Sequence, residues 1–232
     1  MLHGFGGTHR AWDGVTAALD PKRYRPVAID LPGHGVAADV ERPITFDGCV
    51  RHVLTVAPER FVLCGYSLGG RIALHVALAA PARVSRLVLV STSPGLEGPG
   101  ERAERRAADE RLAKELEETP FEDFIERWRA QPLFADDPPE VARRAREDQR
   151  RNRPDALAAV MRGIGSGEMQ SLWGRLEELE MPTAVVVGDR DRKFLELGGR
   201  MVGMVPAAAL ITVPGGHGLP LENPAGLAGA VG

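Results

Sequence analysis

The sequence predicts an α/β protein whose mostly parallel sheet is flanked by helices and interrupted by a helical insertion. Apolar runs at 60–64, 84–91 and 183–187 have the length and content of buried strands. Helical patterns separate these runs, which favours parallel pairing through right-handed crossovers. Residues 98–181 are instead rich in Arg, Glu and Ala and contain no strand pattern. We therefore expect a core of residues 1–97 and 182–232, with residues 98–181 forming a helical cap.

The first part of the core alternates between helix and strand patterns. Its predicted elements are a helix at 9–19, a strand at 24–29, a helix at 44–57, the strand at 60–64, a helix at 71–80 and the strand at 84–91. The cap should contain helices at 101–117, 120–130, 138–151 and 154–163, with a further one leading to 180. The strand at 183–187 should be followed by a helix at 195–204, a last strand at 208–213 and a final helix from 224.

Composition gives no support to several classes of function. The 232 residues carry a net charge of −3 with both signs interspersed, which gives no argument for nucleic acid or an anionic membrane as a partner. Cys49 and Cys64 fall in predicted core elements and suggest no disulfide. No histidine pair has metal-ligand spacing and no nucleotide fingerprint occurs, so we expect neither metal nor cofactor. Without a signal-peptide pattern or a bilayer-length apolar run, a cytoplasmic protein is expected; the sequence leaves the oligomeric state open.

The segment Gly65-Tyr66-Ser67-Leu68-Gly69 joins a predicted strand to a predicted helix. A G-x-S-x-G in that context is typical of a nucleophile elbow, in which a strained turn lifts the serine above the sheet. The small residues let strand and helix pass closely, and the backbone N–H of Leu68 is then free to face an oxyanion. The alternative, an ordinary Gly-rich loop, is weakened by the flanking elements.

A second Gly-rich segment lies at the beginning of the chain, at His3-Gly4-Phe5-Gly6-Gly7. Alone it would be interpreted as a disordered tail. Paired with the elbow, it predicts an oxyanion loop in which the Phe5 N–H meets the developing negative charge.

A serine needs a histidine as base, and that histidine needs a carboxylate to fix its tautomer. Ser67, Asp191 and His217 occur in the chain order Ser, Asp, His, and each follows a predicted strand. Asp189 is interpreted as a turn residue, although a swap with Asp191 stays open. His34 has no orienting partner among its neighbouring glycines and is interpreted as structural.

Nearly the whole chain resembles the α/β-hydrolase superfamily. Within it, the segments 65–71, 93–96, 102–105, 128–134 and 188–194 resemble the 2-succinyl-6-hydroxy-2,4-cyclohexadiene-1-carboxylate (SHCHC) synthase family of menaquinone biosynthesis. The elbow is common to many families, whereas Arg71 together with Trp128-x-x-Gln131-Pro132-x-Phe134 is more specific. The resemblance implies an α/β-hydrolase fold and a lyase that removes a ring proton and expels pyruvate, with Ser67 as the base.

The resemblance also implies which residues bind a substrate with several carboxylates. Arg71, Arg105 and Arg150 would bind the carboxylates, and Tyr66 and Trp128 would line the pocket. Arg71 has independent support, because guanidinium groups bind carboxylates bidentately and it lies about one helical turn beyond Ser67. Gln149-Arg150-Arg151 permits a shift of register, and Arg105 and Arg150 would otherwise be solvated charges on cap helices.

One departure from the family concerns the beginning of the chain, where two residues precede His3-Gly4. Family members have further residues upstream, which form two edge strands and the strand leading into the oxyanion loop. We therefore expect these N-terminal strands to be missing, either because Met1 is a misassigned start or because the chain is a fragment.

Two alternatives accompany the lyase. The first is a carboxylic ester hydrolase with the same triad, and the second is a non-catalytic binding protein of the same fold. The intact Ser, Asp and His set argues against the second.

Overall fold

Four parallel strands form the centre of the computed structural model, which describes residues 1–231. They are β1 (Phe61–Tyr66), β2 (Val84–Val90), β3 (Thr183–Gly188) and β4 (Ala208–Val213), and they lie side by side in that order. All three pairings are parallel, as the alternation of strand and helix predicts. The carboxyl ends of β1 and β3 therefore open on the same edge of the sheet.

Side chains alternate between the two faces of this sheet because successive residues of a strand point in opposite directions. Leu63, Leu87 and Val185 belong to one buried cluster, whereas Cys64, Val88 and Val186 belong to another. Both faces are thus apolar, as expected of a parallel sheet covered by helices on both sides.

Helices of the core cover both faces. They are α1 (Asp13–Ala18), α2 (Phe46–Val56), α3 (Leu68–Ala79), α8 (Arg192–Val202), α9 (Leu219–Glu222) and α10 (Pro224–Val231). The helices α2, α3 and α8 lie on the face that contains Leu63, and α1 and α10 lie on the other. The helix predicted at 9–19 is a 3₁₀ helix, His9–Trp12, that continues into α1.

The segment between β2 and β3, predicted as the cap, is helical. It contains α4 (Pro99–Glu118), α5 (Phe121–Arg129), α6 (Pro139–Gln149) and α7 (Pro154–Ile164). The further helix predicted before residue 180 is a short 3₁₀ helix, Trp173–Glu178. Within residues 1–231, every helix is either too short or too polar to span a bilayer.

The strand predicted at 24–29 is not formed as a strand, and this prediction was wrong. Only Ile29 makes a bridge, and its partner is Leu2, which also bridges to Gly65 in β1. A strand needs a hydrogen-bonded partner along its length, whereas this segment is joined to Met1 by isolated bonds. The Met1 amino group donates to Val27 O at 2.7 Å, and the Ile29 N–H donates to the Met1 carbonyl at 3.3 Å. Leu2 thus lies between Ile29 and β1, directly before the predicted oxyanion loop.

Candidate active site

Ser67 occupies a strained turn between β1 and α3, with a φ of 51°. Left-handed backbone is costly for a residue other than glycine and is typical of functional sites. The surroundings hold it in place, because the Ser67 N–H donates to Val90 O at 2.9 Å and the Thr92 hydroxyl donates to Ser67 O at 2.8 Å. A Cβ on Gly69 would lie 2.3 Å from Leu2 O. Glycine is therefore needed there for α3 to begin against Leu2. A Cβ on Gly65 would lie 2.3 Å from Gly69 O, so strand and helix pass closely, as the elbow predicts.

The structure brings the three predicted triad residues together. His217 Nδ1 lies 2.8 Å from Asp191 Oδ2, and His217 Nε2 lies 3.3 Å from Ser67 Oγ. The Asp191 and His217 side chains are only 3 % and 2 % exposed. This arrangement can take the Ser67 proton and stabilise the resulting imidazolium.

Asp189 has a different partner, since its Oδ1 accepts the Gly215 N–H at 2.9 Å. That bond ties the loop after β3 to the loop that carries His217. The geometry therefore places Asp191, and not Asp189, in the triad.

Two backbone N–H groups at the serine have no acceptor within residues 1–231, those of Phe5 and Leu68. Leu68 is the first residue of α3. Gly4, which precedes Phe5, lies against the elbow: a Cβ built on Gly4 would be 3.5 Å from Ser67 Cβ. The arrangement can therefore offer two donors to a negatively charged oxygen beside Ser67.

A cavity of about 820 Å³ opens above Ser67, between the carboxyl edge of the sheet and the cap helices. Tyr66, Arg71, Arg105 and Trp128 all line it, as predicted. Burial raises the pKa of the Tyr66 phenol, so this group is neutral at ordinary pH. Five carboxylates, that of Asp191 among them, line the cavity together with these aromatic and cationic side chains. A ligand that carries carboxylates would therefore be bound by individual cations and not by a uniformly positive wall.

Arg71 and Arg105 lie on the same wall of the cavity. Arg71 Nη1 donates to Ile164 O at 3.3 Å and forms no ion pair within residues 1–231, whereas Arg105 Nε bonds to Asp109 Oδ1 at 2.8 Å. Burial and then the charge of Arg105 lower the pKa of Arg71 to about 10, against the opposing effect of Asp109. Arg71 thus stays protonated at neutral pH and lacks a carboxylate partner.

Arg150 lies outside this cavity, so the structure does not support its predicted role in carboxylate binding. It is at the C-terminal end of α6, where it is exposed and pairs with Glu122 at 2.8 Å. An α-helix turns about 100° per residue, so adjacent side chains point in different directions. The neighbouring Gln149 is buried against the oxyanion loop, near Gly6.

Some cavity residues were not singled out as site residues from the sequence. The rings of Phe194 and Phe134 lie 4.8 Å and 6.0 Å from the His217 ring and form an apolar cover beside it. Arg192 and Lys193 also line the cavity and form no ion pair within the described chain. The sequence could have indicated Arg192, Lys193 and Phe194, because they directly follow Asp191. Residues that follow the carboxyl end of β3 lie at the same edge of the sheet as Ser67.

No group of three or more metal-ligating side chains is arranged to hold an ion within residues 1–231.

A family model described as the alpha/beta hydrolase family matches residues 1–230. The chain is 33 % identical over 232 residues to a protein of Citrobacter koseri named 2-succinyl-6-hydroxy-2,4-cyclohexadiene-1-carboxylate synthase, with 98 % of this chain and 89 % of that protein covered. A Bacillus subtilis protein provisionally given the same name is 34 % identical over 96 % of this chain and 84 % of its own length. The chain belongs to the SHCHC synthase group of the α/β-hydrolase family.

Solved structures agree with this family membership. The MenH structure from S. aureus superimposes with a TM-score of 0.91 at 30 % identity, over 98 % of this chain and 89 % of that one. A thermophilic esterase from Thermogutta terrifontis has a TM-score of 0.82 over 99 % of this chain and 86 % of that one. At 23 % identity the esterase shows the α/β-hydrolase fold alone.

Proposed function

We propose that this enzyme is a carbon–oxygen lyase of menaquinone biosynthesis. It eliminates pyruvate from 2-succinyl-5-enolpyruvyl-6-hydroxy-3-cyclohexene-1-carboxylate and releases SHCHC. The observation that carries the proposal is Arg71, a cation without a carboxylate partner in residues 1–231 that faces the cavity above an assembled Ser–His–Asp triad. Family membership identifies the substrate that fits this charge.

Ser67 is the base of the reaction. Its proton passes to His217 Nε2, and the Ser67 oxygen removes the ring proton at the carbon that carries the succinyl ketone. Asp191 holds the His217 tautomer and stabilises the imidazolium. No acyl-enzyme is formed, because Ser67 takes a proton and does not attack a carbonyl carbon.

The electron pair left on the ring is held as an enolate of the succinyl ketone. Its oxygen accepts the N–H groups of Phe5 and Leu68, which have no other acceptor within residues 1–231. Such preorganised donors stabilise charge that develops only during the reaction.

Collapse of this enolate expels the leaving group. The ring double bond shifts, a second ring double bond forms, and the carbon–oxygen bond to the enolpyruvyl group breaks with its electron pair. The proton held by His217 goes to the departing pyruvate enolate. Ser67 keeps the ring proton as its hydroxyl proton, so the triad returns to its starting state.

Carboxylate recognition falls to Arg71 and Arg105. Arg71 is free to form a bidentate pair, and Arg105 is oriented by Asp109, which also accepts the Gly167 N–H at 3.0 Å. Tyr66 and Trp128 pack against the substrate ring. The ring centroids of Trp128 and Phe5 lie 4.9 Å apart. The partner is thus a small polycarboxylate, in a protein that we expect to be cytoplasmic.

Release of pyruvate tests the proposal. The substrate is generated in situ from isochorismate and 2-oxoglutarate by the preceding synthase, and pyruvate is followed by coupled oxidation of NADH. Rapid release that is lost in Ser67→Ala would support the lyase. The proposal fails if the purified enzyme, with Ser67 reactive toward a fluorophosphonate, leaves the rate of pyruvate appearance unchanged.

Ester hydrolysis is the second candidate function, favoured by the complete triad with two free amide donors. Hydrolysis of a p-nitrophenyl ester by the same preparation separates the two functions. Serine-dependent ester turnover without pyruvate release would select the hydrolase.

A further inference from the structure

The predicted oxyanion loop, residues 3–7, is tied to the cap by a buried carboxylate that bonds to Thr8, the next residue. Asp148, in the last turn of α6, accepts the Thr8 N–H at 2.8 Å and the Thr8 hydroxyl at 2.5 Å. Both residues are buried. A buried carboxylate with two such donors fixes the chain in one place, because leaving either donor unpaired is costly.

A second cap residue, Asn152, bonds to the loop and to the core at the same time. Its Nδ2 donates to Gly6 O at 2.7 Å, and its Oδ1 accepts the Gly35 N–H at 2.9 Å. Asn152 is also buried. Its amide therefore joins three segments of the chain at one point.

The core holds the other side of the loop through two histidines. His34 Nε2 accepts the Gly6 N–H at 3.2 Å, and His3 Nε2 accepts the Leu31 N–H at 3.0 Å. Both rings are fully buried, and burial lowers both pKa values, that of His34 to about 3. The two rings are therefore neutral and can act as acceptors at ordinary pH.

These bonds meet on either side of Phe5. Gly6, the next residue, has a φ of 71°, and the Gly7 N–H donates to Gly4 O at 3.1 Å, so residues 4–7 form a tight turn. Gly6 and Thr8 are anchored, while the Phe5 N–H has no acceptor within residues 1–231. The direction of this N–H is thus set by anchors before and after Phe5, and the cap supplies two of the anchors that follow it.

We propose that the C-terminal end of α6 holds the oxyanion hole in its working form, with Asp148 and Asn152 as positioning residues for the Phe5 N–H. The inference rests on the proposed function for its reaction, since the hole stabilises the enolate. It goes further in making the cap part of the catalytic machinery as well as a wall of the cavity.

The test compares variants that break these bonds with variants that keep them. Thr8→Val removes the hydroxyl bonded to Asp148, and Thr8→Ser keeps it. Asn152→Asp keeps the acceptor for Gly35 and replaces the donor to Gly6 O by an oxygen. Thr183→Val is the matched control, because Thr183 is a buried threonine whose hydroxyl bonds to Met181 O at 3.0 Å, outside the site.

We expect Thr8→Val and Asn152→Asp to lower kcat for pyruvate release about 10- to 100-fold, below the full loss for removing an oxyanion donor. KM should change less than about threefold, because substrate carboxylates are bound elsewhere. The rate at which a fluorophosphonate labels Ser67 should fall in parallel, since its phosphoryl oxygen enters the same hole. Thr8→Ser and Thr183→Val should stay close to the unaltered enzyme.

Folding of each variant is checked by thermal unfolding. The inference is overturned if folded Thr8→Val and Asn152→Asp keep unaltered kcat and labelling rates, or if Thr8→Ser is as impaired as Thr8→Val. Absence of pyruvate release from the unaltered enzyme would refute the proposed function instead. The labelling rates would then still decide whether the cap sets the oxyanion hole.

Discussion

Asp191 and His217 are joined by a 2.8 Å hydrogen bond between two side chains that are almost completely buried. A buried carboxylate in this position keeps the proton of the neutral imidazole on Nδ1, so that Nε2 faces Ser67 as an acceptor. The tautomer of the base is therefore determined by Asp191.

We predict that Asp191→Asn lowers kcat for pyruvate release about 10³- to 10⁴-fold, because the amide can stabilise the wrong tautomer. The matched control is Asp189→Asn, whose side-chain oxygen can still accept the Gly215 N–H. That variant should stay within about tenfold of the unaltered enzyme, because it removes a charge and keeps the bond. Equal losses in the two variants would contradict the assignment of Asp191.

Arg71 and Arg105, which both line the cavity, should act on substrate binding. Arg71→Ala and Arg105→Ala should each raise KM for the polycarboxylate about 10- to 100-fold, the equivalent of a lost charged hydrogen bond. Hydrolysis of a small neutral p-nitrophenyl ester should change little in these variants. If both activities fell by the same factor, the arginines would not be carboxylate binders.

Arg150→Ala provides the control for this series. Its guanidinium is exposed on α6 and pairs with Glu122, and such surface pairs contribute about 0–1 kcal/mol. KM and kcat should both stay within about twofold. A large rise in KM would mean that Arg150 reaches the substrate after all.

His34 should make the stability of the protein depend on pH. It is neutral in the folded state, where its pKa is about 3, and its ordinary pKa is 6.5. Above pH 6.5 both states are neutral, and below it the unfolded state binds more protons, so the free energy of unfolding falls as the pH falls. At pH 5, His34 lowers the free energy of unfolding by about 2 kcal/mol relative to its value above pH 6.5.

We therefore predict that His34→Gln loses less stability between pH 7.5 and pH 5 than the unaltered protein does. Urea unfolding at the two pH values measures the difference. An identical loss in both proteins would show that His34 does not titrate on unfolding in this range.

Gly69→Ala should destabilise the protein by several kcal/mol, because the new Cβ would lie 2.3 Å from a backbone oxygen and neither main chain can yield cheaply. Gly199→Ala is the control. Gly199 lies inside α8 with no atom within 4 Å of its Cβ position, so alanine should stabilise by about 0.5–1 kcal/mol. Chemical unfolding measures both, and a stable Gly69→Ala would contradict the close contact at the elbow.

The four strands of the sheet and the positions of Ser67, Asp191 and His217 were predictable because their signals are local, whereas the strand predicted at 24–29 failed because a strand also needs a partner. Each strand of the sheet is an apolar run bounded by turn residues, and β4 was predicted at its observed bounds. Ser67, Asp191 and His217 each follow such a strand, and parallel strands place their carboxyl ends together. The order of these residues along the chain was therefore enough to predict that their side chains lie near one another.

Contacts between distant segments were not predictable. Asp148 and Asn152 are single polar residues at the end of a cap helix, and nothing near them in the sequence indicates that they meet Thr8 and Gly6. The interpretation of His34 as structural is consistent with its position, yet its bond to the Gly6 N–H depends on how two loops pack. Arg150 was assigned to the site by resemblance to a family motif and lies outside the cavity. Such a motif does not decide which of several neighbouring helical residues faces the cavity, because their side chains point in different directions.

The hydrogen bonds from Asn152 and Asp148 to residues 6 and 8 also limit how this protein can be recombined with its relatives. A chimera that exchanged residues 98–181 for a segment without these two side chains would leave the Thr8 and Gly6 groups without their partners. Substrate specificity is therefore not transferable through that segment alone. A working graft would have to carry residues 3–8 with it, although more than 80 residues of the chain separate the two pieces.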